Sequence, residues 1–452
     1  MLWTDKANKY LKKYWNIPNL KDKQIEVINE LLLGNDVIGL LPTGYGKSMC
    51  YLIPPLVTKK VIFIISPLIS LMDEQKEKLK SIEISCSALH GNNSNKDQEI
   101  NKIMNGEIKI VYMSPEYLIK GDGMELAKSL IEDNKFGFLA VDESHCISVW
   151  GQDFRPEYTN IKKFRHNFPQ IPIIAVTATA TDTVCDDITK LLNLNKPIIV
   201  RSSFDRPNLF ISIKDIPTIP VIKNKKIKDQ QIDKELIVLD YLNKYKNDKI
   251  IIYTNSRKET DELSISLNKI INNCCQSYHA GLSKKIRENI QKKFTEGEIK
   301  VIISTIAFGM GIDQIVKCVL IFGSPSSIEE YYQQIGRGGR DGKTCETVLY
   351  FDYTKFKIAQ FMLKDLVKYP ALQRAKRDNL NKVKTLVYLK TCRRKYILEY
   401  FNEKCTFTNC NTCDNCCNKV IESTKDILKD SLKDNFDENI NKYEKILNSL
   451  SI

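Results

Sequence analysis

The sequence predicts an α/β protein: two lobes, each a doubly wound parallel sheet, followed by a helical metal-binding module. Three observations predict it. Short apolar runs alternate with helix-like amphipathic patterns twice along the chain, as strands and crossover helices of parallel sheets do. In the first series a glycine loop and a pair of acids fall at strand ends, where open α/β sheets place ligands. Beyond both series lies a cysteine knuckle, Cys410-x-x-Cys413-x-x-Cys416.

Residues 1 to 33 read as helices, with an apolar stripe through Leu2, Trp3, Tyr10, Leu11, Tyr14 and Trp15 and a second through Ile25, Val27, Ile28, Leu31 and Leu32. Gln24 stands just ahead of the glycine loop and, taken alone, is a surface amide. Val37 to Leu41 is a short buried strand, followed by Pro42-Thr43-Gly44-Tyr45-Gly46-Lys47-Ser48 and a helix. This order cradles phosphates: backbone N–H groups meet the anion, Lys47 reaches the outer phosphates, and Ser48 can hold magnesium. Leu41 stands where the strict pattern has glycine, so the loop is the shorter Thr-Gly-x-Gly-Lys-Ser form.

Further strands are expected at Val61 to Ile65, Ile82 to Leu89, Ile108 to Met113, Phe136 to Val141 and Ile171 to Val176. The strand ending at Val141 runs into Asp142 and Glu143, the acidic partner that a magnesium at Ser48 requires. Within a dozen residues follow Trp150, Phe154 and Arg155, rings and a guanidinium suited to stacking on unpaired bases and touching phosphate. Thr177-Ala178-Thr179-Ala180-Thr181 closes the next strand; read singly, such hydroxyl-rich exits are plain turns or donors to a phosphodiester chain.

Phe204 to Phe210 leads into Ile216 to Gln231, which reads as a linker or surface insertion because of its prolines and lysines. The second series has strands at Ile250 to Tyr253, Ser277 to Ala280, Val301 to Ser304, Val319 to Phe322 and Thr347 to Phe351. It carries Gln333 and, in Gly336-Arg337-Gly338-Gly339-Arg340, two arginines expected on adjacent helical positions as arginine fingers for a triphosphate. An Arg-Gly loop binding nucleic acid is the plainer alternative.

Charge and cysteines bound the partners. Net charge is +13, and between Lys355 and Lys395 thirteen Lys or Arg face only Asp365 and Asp378, a local balance of +11 (13 − 2) that favours a polyanion over a solvated face. Eight of the fourteen cysteines are scattered as reduced thiols are; the other six lie between Cys392 and Cys417. Cys392, Cys410, Cys413 and Cys416 make a four-thiolate set for zinc, with Cys405 and Cys417 spare. An iron–sulfur cluster takes four thiolates too, but no redox partner is evident. No stretch is long and apolar enough to span a bilayer, so an intracellular place with no membrane partner is expected.

LPTGYGKS, ISPLISLMDEQ, VDESHCISVWGQDFRPEY, AVTATAT, SFDRPNLF, YHAGL, STIAFGMGID, YYQQIGRGGRDG and the knuckle occur in this order over about residues 10 to 417. The chain in this respect resembles the RecQ-type DNA helicases of the DEAH-related superfamily 2. The resemblance implies two RecA-like lobes over 1–203 and 204–352, a basic zinc-binding helical module over 353–418, and a short helical tail over 419–452. It implies ATP, magnesium and zinc as cofactors, single-stranded and tailed duplex DNA as partners, 3′-to-5′ translocation, and a monomer in DNA repair or recombination. The compartment is then one that holds DNA: nucleus, nucleoid or viral replication site.

By the same resemblance Gln24 reads adenine, Thr43, Gly44, Gly46 and Lys47 hold the phosphates, and Ser48 with Asp142 holds magnesium. Glu143 polarises the attacking water, Gln333 positions it, and Arg337 and Arg340 are the fingers; His145, Thr177 and Thr179 couple nucleotide to strand. Trp150, Phe154 and Arg155 report bound DNA, although Gln152 replaces the family's usual histidine there. The 35 residues after Cys417 are too few for a winged helix, which keeps a weakly unwinding translocase clamp as an alternative, beside an RNA helicase.

Overall fold

The computed structural model describes residues 3–91, 96–148, 155–216, 218–223, 226–231, 234–306, 308 and 314–417. Within these the chain forms two compact units, residues 3–204 with 401–403, and residues 205–400 with 404–417. Trp150, Phe154, Gln152, most of the STIAFGMGID stretch and the tail lie outside the described residues.

The first unit is built on β1 (Val37–Leu40), β2 (Val61–Ile65), β3 (Cys86–Leu89), β4 (Ile110–Met113), β5 (Phe136–Val141), β6 (Ile173–Thr177) and β7 (Ile198–Arg201). All pair in parallel in the order β3-β4-β2-β5-β6-β1-β7. β1, β2 and β6 are buried along their whole length because helices cover both sheet faces, which is why they read as unbroken apolar runs. Parallel pairing aims every strand exit at one edge. Pro42–Ser48 after β1, Asp142–Glu143 after β5 and Thr177–Thr181 after β6 therefore meet there, with β6 between the other two strands. β3 starts only at Cys86, since Ile82 caps the preceding helix (Ile69–Ser81). β7 escaped the reading because an edge strand needs little apolar signal: Ile198 and Ile199 are exposed.

The start of β1 is tied to the strands beside it by one carboxylate. Asp36, 4% exposed, accepts from the buried Arg165 guanidinium, from the backbone N of Ile173 at 2.8 Å and from the backbone N of Asn195 at 2.6 Å. Arg165 also donates to the carbonyls of Pro169 at 2.7 Å and Ile171 at 2.8 Å. A buried pair so fully bonded fixes register, and its half-removal strands a charge in low dielectric.

The second unit has β8 (Leu209–Asp215), a hairpin of β9 (Thr218–Lys223) and β10 (Lys226–Gln231), then β11 (Ile250–Thr254), β12 (Cys275–Tyr278), β13 (Val301–Ser304), β14 (Cys318–Gly323) and β15 (Cys345–Phe351). Six of these form a parallel sheet in the order β12-β13-β11-β14-β15-β8. The stretch Ile216 to Gln231, expected as a linker or surface insertion, contains an antiparallel two-stranded hairpin apart from the main sheet, whose own backbone pairing needs no apolar alternation. β8 begins after the SFDRPN stretch and runs parallel to β15 as the sheet's other edge. The basic stretch folds as helices Tyr353–Met362, Pro370–Tyr388 and Arg393–Tyr400, as the sequence predicts.

Replacing Asp36 with Ala is expected to destabilise the first unit by about 3–5 kcal/mol, because Arg165 is left buried and unpaired. Urea unfolding followed by a probe in that unit measures it; a loss below about 1 kcal/mol would mean solvent reaches the pair.

Candidate nucleotide and metal sites

The glycine loop takes its shape from two left-handed residues, Gly44 at φ 82° and Gly46 at φ 90°. L side chains strain at such angles, so glycine is needed at both. At Gly46 the need is double: a Cβ there would lie 2.7 Å from Gln24 Nε2. The helix Met49–Thr58 follows directly, with Lys47 and Ser48 at its entrance.

Gln24 is buried and its amide is spent on this loop. Nε2 donates to the carbonyls of Tyr45 at 3.1 Å and Gly46 at 2.9 Å, while Oε1 accepts from Lys21 N at 2.8 Å. Lys21 in turn places its ammonium 4.6 Å from the centre of the Tyr45 ring. Gln24, which taken alone reads as a surface amide and by resemblance reads adenine, is here a buried tie between helix Asp22–Leu32 and the glycine loop.

Asp142 and Glu143 leave β5 on a strained turn, with Glu143 in the left-handed region at φ 45°. Non-glycine residues adopt that conformation at a cost, and it recurs at functional sites. Asp142 Oδ1 accepts from Glu143 N at 2.9 Å, and Oδ2 accepts from the buried Tyr51 hydroxyl at 3.0 Å. Burial, followed by the charge of Glu143, pushes the Asp142 carboxyl up to about 6, while the nearby Lys47 ammonium opposes the rise. Two carboxylates crowded at one strand end make a place where a cation is stabilised. Tyr51 also faces Ser48, so one hydroxyl stands beside both residues expected to hold magnesium. A carboxylate and a hydroxyl are the hard oxygen donors that magnesium takes, and the donor set fits.

His145 sits 3% exposed, its Nδ1 2.8 Å from Thr177 Oγ1 and 3.3 Å from Glu143 Oε2. Thr177 Oγ1 in turn accepts from Thr179 N at 3.2 Å. The structure thereby brings Glu143, His145, Thr177 and Thr179 into one buried polar chain joining the β5 and β6 exits. Arg155 donates to the Pro67 carbonyl at the exit of β2, and its backbone N to Cys146 O at 2.7 Å.

In the second unit Gln333 lies within helix Ile328–Ile335, but Arg337 and Arg340 do not. This corrects the helical placement. The helix ends at Gly336, and the chain then turns through Gly338 and Gly339, the latter at φ 58°, so the arginines project from a loop. The loop is fixed from several sides: Gly339 N donates to Val316 O at 2.9 Å, and Asp341 pairs with Lys317 at 2.8 Å. Arg337 and Arg340 both bear on the buried Tyr253 at the end of β11.

The Sγ atoms of Cys392, Cys410, Cys413 and Cys416 all lie within 4.8 Å of one another, while Cys405 and Cys417 stand outside the cluster. Tetrahedral zinc–thiolate geometry needs sulfurs roughly 3.8 Å apart, so four thiolates in this spacing fit one zinc ion. The hydrogen bond between the Cys410 and Cys413 thiols favours the thiolate at Cys410 and disfavours it at Cys413, and metal binding takes the deprotonated form of both. Cys392 comes from the start of helix Arg393–Tyr400, the other three from the knuckle.

Sequence reasoning missed Tyr51, Asp36, Arg165, Arg206 and Asn208. Only the last two carried a signal, since they lie in the quoted SFDRPNLF stretch.

Three family models match the chain. Residues 21–188 match the DEAD/DEAH box helicase family, 230–342 the helicase conserved C-terminal domain, and 353–417 the RecQ zinc-binding family. A putative ATP-dependent RNA helicase of Acanthamoeba polyphaga mimivirus is 38% identical over 91% of this chain and 72% of its own length. The ATP-dependent DNA helicase RecQ of Haemophilus influenzae is 37% identical over 90% of this chain, which spans 62% of that protein. The Saccharomyces cerevisiae ATP-dependent helicase Sgs1 is 36% identical over 93% of the chain, which spans 29% of it. The fold is similar to that of the DUF1998 helicase MrfA bound to DNA and AMPPNP, with TM-score 0.63 at 20% identity over 77% of this chain and 50% of that one.

Metal analysis is expected to find one zinc per chain. Cys413→Ser should lose it, and Cys405→Ser and Cys417→Ser should keep it, because only Cys413 belongs to the cluster. Stoichiometric zinc retained in Cys413→Ser would remove that cluster as the site.

Proposed function

The chain belongs to the RecQ-type family of ATP-dependent helicases, and from that premise we propose that it translocates 3′ to 5′ on single-stranded DNA and unwinds duplex. The observation that carries the chemistry is the meeting at one sheet edge of Lys47, Ser48 and the pinned pair Asp142–Glu143. Lys47 binds the outer phosphates of ATP, and Thr43, Gly44 and Gly46 present backbone donors to them. Gln24 gives up one of its loop contacts to the adenine edge. Ser48 and Asp142 would hold magnesium, which would supply neutralisation of the charge that develops on the phosphoryl oxygens. Glu143 orients and polarises the attacking water, Gln333 helps to place it, and Arg337 and Arg340 stabilise the transferring phosphoryl group.

The buried chain from Glu143 through His145 to Thr177 and Thr179 gives the hydrolytic carboxylate a neighbour that also belongs to a strand-facing exit. Trp150, Phe154 and Arg155 follow in the same segment and sense bases by stacking and phosphate by charge. The four-part division at residues 1–203, 204–352, 353–418 and 419–452 is the working domain scheme. In the zinc module, Phe361 and Tyr369 are about two-thirds exposed beside Lys364 and Lys368, with Lys364 4.7 Å from the Phe361 ring centre. Exposed rings and ammonium groups, with Asp365 the one acid between them in sequence, suit a nucleic-acid strand. The protein acts as a monomer where DNA is handled, in repair or recombination.

An RNA-directed reading is favoured by one observation, the likeness to the viral putative ATP-dependent RNA helicase. Matched DNA and RNA strands competing to stimulate ATPase separate the two. Stronger stimulation by RNA would overturn the DNA assignment.

Displacement from a 3′-tailed duplex is expected to exceed that from a 5′-tailed one about tenfold or more, and Lys47→Ala is expected to abolish both displacement and hydrolysis, a loss of about 10²-fold or more. Hydrolysis without displacement would leave a translocase clamp.

Trp150→Ala is expected to lower the ratio of DNA-stimulated to basal ATPase several-fold. An equal fall in both rates would mean that the ring packs the segment and senses nothing.

A further inference from the structure

The SFDRPNLF stretch has no part in the chemistry above, yet the structure gives two of its side chains a specific task. Arg206 Nη2 donates to the carbonyls of Gly338 and Gly339, each at 2.9 Å. Asn208 Nδ2 donates to the carbonyls of Gly339 at 2.8 Å and Lys343 at 2.9 Å. The two are joined to each other, Arg206 Nε to Asn208 Oδ1 at 3.3 Å, and Asn208 is anchored to β15 by Cys345 N donating to its carbonyl at 2.9 Å. Four side-chain bonds thus fall on three carbonyls of one loop. Two of those carbonyls lie between Arg337 and Arg340.

The fit excludes other residues at the glycines. A Cβ on Gly338 would lie 2.2 Å from Cys345 Sγ, and one on Gly339 would lie 2.4 Å from Asn208 Nδ2, at a φ of 58° that already disfavours it. Glycine permits this approach but supplies no stiffness of its own, since it has the widest backbone freedom of any residue. A loop with two adjacent glycines between two functional arginines needs outside bonds to hold it. Arg206 is itself desolvated: burial depresses its pKa, and the neighbouring Arg340 charge adds to that. It remains protonated, and like charges give Arg340 no reason to fold back onto the cradle.

We propose that Arg206 and Asn208 are positioning residues for the fingers: they hold the 337–340 backbone so that Arg337 and Arg340 are preorganised for phosphoryl transfer. The inference rests on the finger reading of Arg337 and Arg340 given above. Transition-state donors contribute only when placed to within a fraction of an ångström, and a small misplacement costs rate and leaves ground-state binding intact. Nucleotide affinity resides in the glycine loop of the other unit, so the two readouts separate.

The test is DNA-stimulated ATPase on the full chain, with fluorescent ADP binding and thermal melting alongside. Arg206→Ala and Asn208→Ala are expected to lower kcat about 10–100-fold, with KM for ATP and ADP affinity changed by less than about threefold. The double variant Arg206→Ala/Arg340→Ala should be slowed by clearly less than the product of the two single effects, because with Arg340 gone the cradle has only Arg337 left to place. Wild-type kcat in both single cradle variants, or a double variant slowed by the product of the single effects, overturns the proposal. Arg340→Ala turning over at the wild-type rate sinks the finger reading itself, a result distinct from a slow Arg340→Ala beside a fast Arg206→Ala. Should Arg206→Ala melt early, Asn208→Ala carries the same comparison, since it removes three hydrogen bonds and no charge.

Discussion

The first unit depends on how one carboxylate is held before any ligand arrives. Asp142 leaves β5 with each oxygen already bonded, one to the peptide N–H of Glu143 and one to the hydroxyl of Tyr51. Without those donors a buried carboxylate beside a second one would be forced to protonate or to turn outward. With them the group stays in place but remains under-compensated, and its carboxyl rises to about 6 through burial and the Glu143 charge. That residual imbalance is what a divalent cation relieves. The fold therefore stores at the β5 exit a charge arrangement that is more favourable filled than empty. The Tyr112 hydroxyl, buried beside Tyr51 and Asp142, belongs to the same imbalance: burial, then the Asp142 charge, holds its pKa well above the ordinary tyrosine value.

The phosphate loop, the acid pair and the cysteine knuckle were legible in the sequence because their chemistry demands given residue types at short fixed spacings. Glycines at 44 and 46 answer to backbone angles, and sulfurs at 410, 413 and 416 answer to a tetrahedron. Tyr51 was illegible for the opposite reason. It meets Asp142 from 91 residues away, and a tyrosine inside an apolar helix looks like core until the partner strand is placed. Asp36 hides in the same way, an acid ahead of a strand whose three partners come from a helix, the start of β6 and a bend, each more than a hundred residues on. Strand periodicity gave most of both sheets but missed β7 and β8, since an edge strand answers to one neighbour and needs no continuous apolar run. The misplaced helix around Arg337 and Arg340 is instructive: spacing alone put the arginines on one helical face, and Gly338 and Gly339, which end helices, were the better guide.

β8 shows why the second unit and the metal module form one body. An edge strand offers unpaired N–H and C=O groups, which folded proteins cover. Here the knuckle covers them: Ile211 N donates to Thr412 O at 3.0 Å, and Ile213 N to the Asp414 carboxylate at 2.9 Å. Asp414 is held by Arg393 Nε at 2.6 Å, and Arg393 follows Cys392, one of the four clustered thiols. Sulfur cluster, ion pair and edge cover are consecutive links of one chain, so the free energy of binding zinc is also free energy for keeping that edge closed. β8 emerges directly from Arg206 to Asn208, the residues that grip the finger loop. One strand thus carries the bonds to the Gly338–Gly339 loop at its start and the cysteine knuckle along its side. A disturbance of the knuckle that shifted β8 along its axis would displace the donors under Gly338 and Gly339, whereas loss of a surface loop elsewhere would not. The zinc module, remote from the phosphate loop in sequence, therefore has a short physical route to the arginines through a single strand.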